Sequence, residues 1–187
     1  MKRSILLAGV GGQGTILASK LISAAAVKKS IPVKTAETIG MAQRGGSVFS
    51  HVRLGDNASP MIPPKGADLI IGFEPAEAAR HLMFLKDEGT VVTATAPVYP
   101  VSALTGGAPY NVESVIEYLK ANVKRLILVD TEKLLAEIGN SKVLNTLLLG
   151  EAIRSGALGL TAEDIMVAMK ELIPEKLLDI NKKALVG

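Results

Sequence analysis

The sequence predicts an α/β fold, with a mostly parallel, Rossmann-like sheet, helices on both faces and an all-helical C-terminal third. Mainly apolar runs at 5–8 and 67–73 indicate strands covered on both faces, because a strand with one wet face alternates apolar and polar residues. Segments with helical spacing separate these runs, as is typical of parallel sheets with helical crossovers. After Asp130 only helical spacing is found.

The predicted elements follow the chain in this alternation. Strands are expected at 5–8, 31–36, 47–54, 67–73, 90–95 and 125–129. Helices are expected to begin at Thr15, Pro75 and Val112 and to cover 131–138, 142–155, 162–172 and 174–185. The segments 37–47 and 97–110 are predicted loops. Since 187 residues leave room for one domain, we expect residues 1–187 to form a single one.

The strand predicted at 47–54 differs from the others because it alternates. We expect it to be half exposed, and to be antiparallel or at a sheet edge. His51 falls on the outward side of this alternation, where it would be solvated or at an interface. His81 sits among charges with no visible partner. Glu74 and Glu77 flank Pro75 at a helix start, where acids favour the helix dipole.

Composition excludes several classes of function. With 0 cysteines the chain cannot form disulfides, ligate iron–sulfur clusters or supply a thiol nucleophile, and two histidines are too few for a histidine-built metal site. The net charge of +3 is scattered and aromatic residues are 3%, so a nucleic-acid interface is not expected. No stretch approaches the roughly 18 apolar residues of a membrane span, and the N-terminal run is too short for a signal peptide. We therefore expect a cytoplasmic protein.

A glycine-rich turn directly follows the first strand. Gly9-Val10-Gly11-Gly12-Gln13-Gly14 fits the pattern G-x-G-x-x-G, and Thr15 opens the next helix. Peptide N–H groups at such a helix start can bind an anion. The glycines alternatively serve only a tight crossover. Glu37 lies near the place of a ribose-binding acid, which keeps a self-contained NAD(P)-binding oxidoreductase open, although the short chain lacks a second, substrate-bearing domain.

A second glycine-containing segment is Gln43-Arg44-Gly45-Gly46-Ser47. Adjacent glycines let backbone N–H groups converge, and a guanidinium beside them suits phosphate or carboxylate. The other interpretation is a structural turn in which Arg44 pairs with a local acid such as Glu37. No defensible catalytic residue set or metal-ligand spacing is found, and a phosphate- or nucleotide-binding regulatory module stays open as a third class.

These two segments carry a resemblance to a known family. The glycine turn, followed by Leu17-Ala18-Ser19-Lys20-Leu21, resembles the start of the gamma-type domain of 2-oxoacid:ferredoxin oxidoreductases. The run from Glu37 to Val48, followed by His51-Val52-Arg53, is similar to the small, beta-subunit branch that acts on indolepyruvate. Further similarity lies in 59–63, 67–75 and 181–187, so the resemblance spans essentially the whole chain.

The resemblance implies a subunit of an enzyme that oxidatively decarboxylates aryl 2-oxoacids with coenzyme A, giving an aryl-acetyl-CoA, carbon dioxide and reduced ferredoxin. It also implies a larger, cysteine-rich alpha subunit that holds thiamine diphosphate and the iron–sulfur clusters. This chain would then be non-catalytic and inactive alone, and would complete the site from outside. Its glycine turn and the segment Arg44–Ser47 would contact coenzyme A, the cofactor or the partner's loops.

Overall fold

The computed structural model describes residues 1–39, 45–56, 59–100, 103, 105–107 and 109–187. Its strands are β1 (Arg3–Val10), β2 (Val33–Ile39), β3 (Ser47–Leu54), β4 (Ala67–Gly72), β5 (Leu85–Ala94) and β6 (Arg125–Val129). Its helices of more than one turn are α1 (Thr15–Lys28), α2 (Pro75–Arg80), α3 (Val112–Asn122), α4 (Thr131–Ile138), α5 (Leu144–Arg154), α6 (Ala162–Leu172) and α7 (Leu178–Val186). Short 3₁₀ turns lie at Leu82–Phe84, Ser141–Val143 and Glu175–Leu177.

The six described strands form one mixed sheet in the order β2-β3-β1-β4-β5-β6. The neighbours β1, β4, β5 and β6 are parallel, whereas β3 runs antiparallel to both β1 and β2. The predicted mostly parallel α/β fold is confirmed, and so is the antiparallel direction of the 47–54 strand. That strand lies inside the sheet, however, between its first and second strands.

Helices cover both faces of the sheet, as predicted. Alternate residues of β1 point to opposite faces: Ile5 and Leu7 belong to the core under α1, α5 and α6, while Leu6 and Ala8 belong to the core under α2 and α3. All four side chains are fully buried. The apolar run of β1 therefore reflects a strand covered twice, because each face of the sheet needs its own apolar residues.

Local sequence signals determine several helix ends. The side chain of Asn111 caps α3 by accepting from the N–H of Ser114, and Thr161 and Asp164 form a reciprocal capping box on α6. Pro75 occupies the first turn of α2, where its missing N–H has no helical partner to lose. These predicted caps are confirmed.

Other boundaries were predicted wrongly. The helical spacing of Ala78, Ala79, Leu82 and Met83 predicts that the helix from Pro75 continues to Met83 and turns these four side chains inward. The helix ends at Arg80, however, and Met83 is 61% exposed. Strand β5 begins at Leu85, earlier than the predicted 90, and β2 extends to Ile39, into a predicted loop. The two strands extend further because Ile39 pairs with Val48 of β3 and Leu85 pairs with Ala67 of β4, and backbone hydrogen bonds do not depend on side-chain polarity.

The sheet topology creates a crevice at the edge formed by the carboxyl ends of the parallel strands. From β1 the chain passes through α1 to β2, on one side of β1, whereas β4 lies on the other side. In open α/β sheets ligands bind where the connections diverge in this way, outside the carboxyl ends of the strands. A ligand site is therefore expected at the residues that follow β1 and β4.

Candidate functional site

The glycine turn joins β1 to α1 at this edge. Gly12 and Gly14 have φ angles of +104° and +84°, which side-chain-bearing residues rarely adopt. Gly9 is needed for a different reason: a Cβ there would lie 2.7 Å from the Cβ of Phe73. The glycines thus serve both the tight turn and the close packing of β1 against the residue that follows β4.

The N-terminus of α1 is open to a ligand. Its cap residue is Gly14, which offers no side-chain cap, and the first turn holds no acidic residue. The first N–H groups of a helix have no acceptor within the helix and carry a partial positive charge. The hydroxyl oxygen of Thr15 is buried and has no hydrogen-bond partner among the described residues. This start of α1 is suited to an anionic group.

A cavity of about 440 Å³ lies against the turn. It is lined by Val10, Gly11, Gly12, Gly14, Thr15, Ile16 and Val48. Six of these residues come from the turn and the start of α1, and Val48 comes from β3. The cavity therefore places Gly11, Gly12, Gly14 and Thr15, all predicted site residues, around a single space.

The second predicted segment meets the first. The N–H of Gly11 donates to the carbonyl oxygen of Gly46 at 2.9 Å, so the two glycine segments are joined by a main-chain hydrogen bond. Gly45 has a φ angle of +78° and Ser47 begins β3. Since β3 is antiparallel to β1, its first residues lie beside the end of β1. Gln43 and Arg44 lie outside the described residues.

Glu37 is not part of this cavity. It lies exposed on β2, which ends the sheet and is separated from β1 by β3. Its carboxylate accepts a hydrogen bond from the hydroxyl of Ser19 on α1 at 3.1 Å. The structure therefore brings together the glycine turn, Thr15 and the segment Gly45–Ser47, and places Glu37 on β2 in contact with Ser19 of α1.

Two buried carboxylates border a second cavity at the same edge. Glu74 and Glu77 are 2% and 6% exposed, and both line a space of about 260 Å³ that also touches Val10 and Ser47. Glu74 caps α2 by accepting from the N–H of Glu77 at 3.0 Å, and it also accepts a hydrogen bond from the hydroxyl of Tyr110. The helix-dipole interpretation of these acids accounts for the cap but not for their burial.

Tyr110 is held by this arrangement. Burial and its hydrogen bond to the Glu74 carboxylate raise the pKa of the Tyr110 hydroxyl far above its ordinary value. The phenol therefore stays protonated and donates. Sequence reasoning missed Glu74, Glu77 and Tyr110 as neighbours of the site, and only the cap signal of Glu74 and Pro75 marked the place in the chain.

Both histidines are buried on the α2 side of the sheet, so the predicted outward position of His51 is wrong. His51 has no exposed surface, and its Nδ1 accepts from the N–H of Ile62 at 3.2 Å. His81, predicted to lack a partner, lies 2.8 Å through Nδ1 from the carbonyl oxygen of Glu77. The rings of Phe49 and Phe84 pack against both imidazoles. Burial, with smaller contributions from His81 and Arg53, lowers the pKa of His51.

Among the described residues, no three histidine, cysteine, aspartate or glutamate side chains group closely enough to hold a metal ion. Within the same residues, no helix has the length and apolar character that a membrane crossing requires. The site is thus a main-chain and hydroxyl site, bordered by carboxylates that are already hydrogen-bonded.

Solved structures share this fold. A pyruvate oxidoreductase subunit, PORC, from Thermotoga maritima superposes with a TM-score of 0.71 at 21% identity, over 99% of this chain and 93% of its own. A 2-oxoglutarate:ferredoxin oxidoreductase from Magnetococcus marinus superposes with a TM-score of 0.64 at 19% identity. That match covers 98% of this chain and 30% of the longer one. These likenesses show that the chain shares its fold with the first structure and with one part of the second.

Sequence comparison defines the family. The profile of the pyruvate ferredoxin/flavodoxin oxidoreductase family matches residues 4–186. The indolepyruvate oxidoreductase subunit IorB of Archaeoglobus fulgidus is 38% identical over 186 residues, covering 99% of this chain and 92% of that protein. The chain belongs to the pyruvate ferredoxin/flavodoxin oxidoreductase family, and the resemblance inferred from its motifs is confirmed.

Proposed function

We propose that this chain is the small, site-completing subunit of a cytoplasmic enzyme that oxidatively decarboxylates aryl 2-oxoacids such as indolepyruvate. Coenzyme A would be the acyl acceptor, and the products would be an aryl-acetyl-CoA, carbon dioxide and reduced ferredoxin. The similarity to indolepyruvate oxidoreductase subunits along almost the whole chain supports the substrate class. The same coverage supports residues 1–187 as a single gamma-type domain.

One observation carries the proposed role of this chain. Two glycine segments meet at the carboxyl end of β1 and leave the start of α1 uncapped beside a cavity. Such a surface can hold a phosphate or carboxylate through N–H groups without supplying an acid or base. Coenzyme A carries phosphates, and the Magnetococcus marinus enzyme is described with coenzyme A and succinyl-CoA bound. We assign Gly9–Thr15 and Gly45–Ser47 to this contact. Gln43 and Arg44 are included on the sequence alone, whereas Glu37, which accepts from Ser19, is left out of it.

The redox cofactors fit a partner and not this chain. With 0 cysteines the chain has no thiolate for an iron–sulfur cluster, and the hydrogen bonds of Glu74 and Glu77 are taken by Tyr110, Ser47 and a main-chain N–H. The proposal therefore requires a larger, cysteine-rich alpha subunit that holds thiamine diphosphate and the clusters. This chain binds, orients and encloses, and the partner supplies the carbanion chemistry and the electron path.

Co-expression tests this proposal. The chain is produced with a large, thiamine-diphosphate-binding, cysteine-rich subunit, and dye reduction is measured with indolepyruvate plus coenzyme A. We expect turnover only when both subunits and coenzyme A are present, with the partner alone and the coenzyme-free mixture as controls. Phenylpyruvate and 4-hydroxyphenylpyruvate in parallel define the aryl preference.

Two results would contradict the proposal. One is a stable, cluster-loaded complex that turns over no 2-oxoacid. The other is tight binding of NAD(H) or NADP(H) by the chain without a partner, which favours a self-contained dehydrogenase. The turnover assay decides the first result, and calorimetric titration of the full chain with both dinucleotides decides the second.

A further inference from the structure

Glu77 reaches across the edge from α2 to the start of β3. Its Oε2 accepts a hydrogen bond from the hydroxyl of Ser47 at 2.5 Å, although the two residues are 30 positions apart. Its other oxygen lies 3.4 Å from the guanidinium of Arg80 on the same helix. A buried carboxylate with both oxygens engaged is held in one geometry, because losing either partner would leave a desolvated charge.

This contact is not explained by helix capping. A glutamate at the third position of a helix commonly folds back onto the N–H of the cap residue. In α2 the cap residue, Glu74, itself accepts the N–H of Glu77, and the Glu77 carboxylate points away to another strand. The carboxylate of Glu77 therefore holds the first residue of β3 and not the start of its own helix.

The segment held by Glu77, Gly45–Ser47, is one of the two glycine segments that meet beside the cavity. Ser47 directly follows Gly46, whose carbonyl oxygen accepts the N–H of Gly11. One hydrogen-bonded path thus runs from the carboxylate of Glu77 through Ser47 and Gly46 to the glycine turn. Displacing Ser47 removes the support on one side of that turn.

The negative charge of Glu77 favours a positioning role over direct contact with an anionic ligand. A carboxylate close to an edge that accepts an anion lowers the affinity for that anion. Its presence there is explained by the hydrogen bond, since a bond to a charged acceptor is stronger than one to a neutral acceptor. The substitution Glu77→Gln gives a side chain of the same shape with a neutral acceptor oxygen. It should keep Gly45–Ser47 in place and remove the repulsion between the carboxylate and a bound anion.

We propose that Glu77 is a positioning residue: through Ser47 it holds Gly45–Ser47 against the Gly9–Gly14 turn, so that the two segments form one anion-accepting edge. The inference rests on the proposed function in assigning that edge to coenzyme A. The geometric part of the inference is that Glu77 and Ser47 keep the two segments together, and it rests only on hydrogen bonds within this chain.

Hydrogen exchange of the full chain, in its complex, tests the geometric part without requiring turnover. In Glu77→Ala and Ser47→Ala we expect peptides covering 9–14 and 45–48 to exchange about tenfold faster, which corresponds to one lost hydrogen bond of ordinary strength. Glu77→Gln should exchange like the unmodified protein. Glu151→Ala removes a paired carboxylate on α5, away from this edge, and is the matched control.

Steady-state kinetics of the same variants tests the link to the ligand. We expect the KM for coenzyme A to rise about tenfold in Glu77→Ala and Ser47→Ala with kcat nearly unchanged, and to be unchanged or lower in Glu77→Gln. The double variant Glu77→Ala/Ser47→Ala should lose no more than either single variant, because both remove one contact.

Each result decides a stated point. Unchanged exchange in Ser47→Ala overturns the positioning role, even where Glu77→Ala fails to fold. Faster exchange with an unchanged KM in all variants shows a structural contact and overturns the functional part. If the unmodified complex turns over no 2-oxoacid, the proposed function fails, and the exchange data still accept or reject the geometric part.

Discussion

The side-chain amide of Gln13 donates to the carbonyl oxygen of Phe73 at 2.9 Å, and so ties the turn after β1 to the residue that follows β4. The other end of the same amide, Oε1, accepts from the N–H of Val10 at 2.7 Å. One side chain therefore satisfies a donor and an acceptor of the main chain at the two strand ends where the crevice opens.

Because both ends of the amide are used, Gln13→Glu should destabilise the protein. The carboxylate can still accept from Val10 but faces the carbonyl oxygen of Phe73 with no hydrogen to donate. We expect the free energy of unfolding to fall by about 1–3 kcal/mol. Urea unfolding checks this, with Lys20→Ala on the exposed side of α1 as a control near zero. A change below about 0.5 kcal/mol would show that the Phe73 carbonyl finds another donor.

Gly12 and Gly14 form a matched pair for substitution by alanine. Both have positive φ angles, but a Cβ at Gly12 meets no atom within 4 Å, whereas one at Gly14 lies 3.0 Å from Nδ2 of Asn145. We expect Gly12→Ala to lower the free energy of unfolding by about 1–2 kcal/mol through backbone strain alone, and Gly14→Ala to lower it further. Equal losses in urea unfolding would show that Asn145 moves aside at no cost.

Two substitutions of Thr15 distinguish an effect on stability from an effect on ligand binding. Its hydroxyl is buried and unpaired among the described residues, so Thr15→Val should leave the free energy of unfolding unchanged or raise it by up to about 1 kcal/mol. Thr15→Ser keeps the hydroxyl, loses a buried methyl and should be less stable. If the hydroxyl contacts the ligand, the KM for coenzyme A rises in Thr15→Val and not in Thr15→Ser. If Thr15→Ser has both the lower free energy of unfolding and the higher KM for coenzyme A, the hydroxyl does not contact the ligand.

The buried His51 predicts a loss of stability in acid. Burial lowers its pKa below the ordinary 6.5 in the folded state, so the unfolded chain takes up the proton first. The contribution of His51 is therefore complete above pH 6.5 and is lost as the pH falls below that value. For this single proton the slope is at most about 1.4 kcal/mol per pH unit.

His51→Asn is the variant that checks this assignment. Its side-chain oxygen can replace Nδ1 as the acceptor for the N–H of Ile62 but does not titrate. We expect the pH dependence of the unfolding free energy between pH 6.5 and 5 to be shallower in this variant. Parallel profiles for the two proteins would assign the acid loss to another group.

Local chemistry made much of the fold predictable. The strand–helix alternation, the caps at Asn111 and Thr161 and the double burial of β1 each follow from residues within a few positions of one another. Sequence pattern and structure agree at this local level. The family resemblance marked the glycine turn and the segment Arg44–Ser47 as contact surfaces, but the hydrogen bond between Gly11 and Gly46 was not predicted.

The wrong position of His51 and the missed side-chain contacts have one physical origin. A period of two residues in β3 shows which side chains share a face, but it does not show what covers that face. His51 is buried because α2 and the segment at Ile62 pack over it, and neither is adjacent to it in sequence. The contacts of Ser47 with Glu77 and of Tyr110 with Glu74 likewise join residues 30 and 36 positions apart. Such pairs are decided by strand order, which propensity and periodicity do not encode.

The place of β1 in the middle of the sheet bears on how the chain is made. Its two neighbours are β3 and β4, which end at Leu54 and Gly72, so the first strand to leave the ribosome waits for both. Until Gly72 has been added, the apolar segment Ile5–Ala8 has at least one unpaired edge. Synthesis at about 5–20 residues per second leaves this edge open for seconds. The nascent chain should therefore depend on chaperones early, before any partner subunit can protect it.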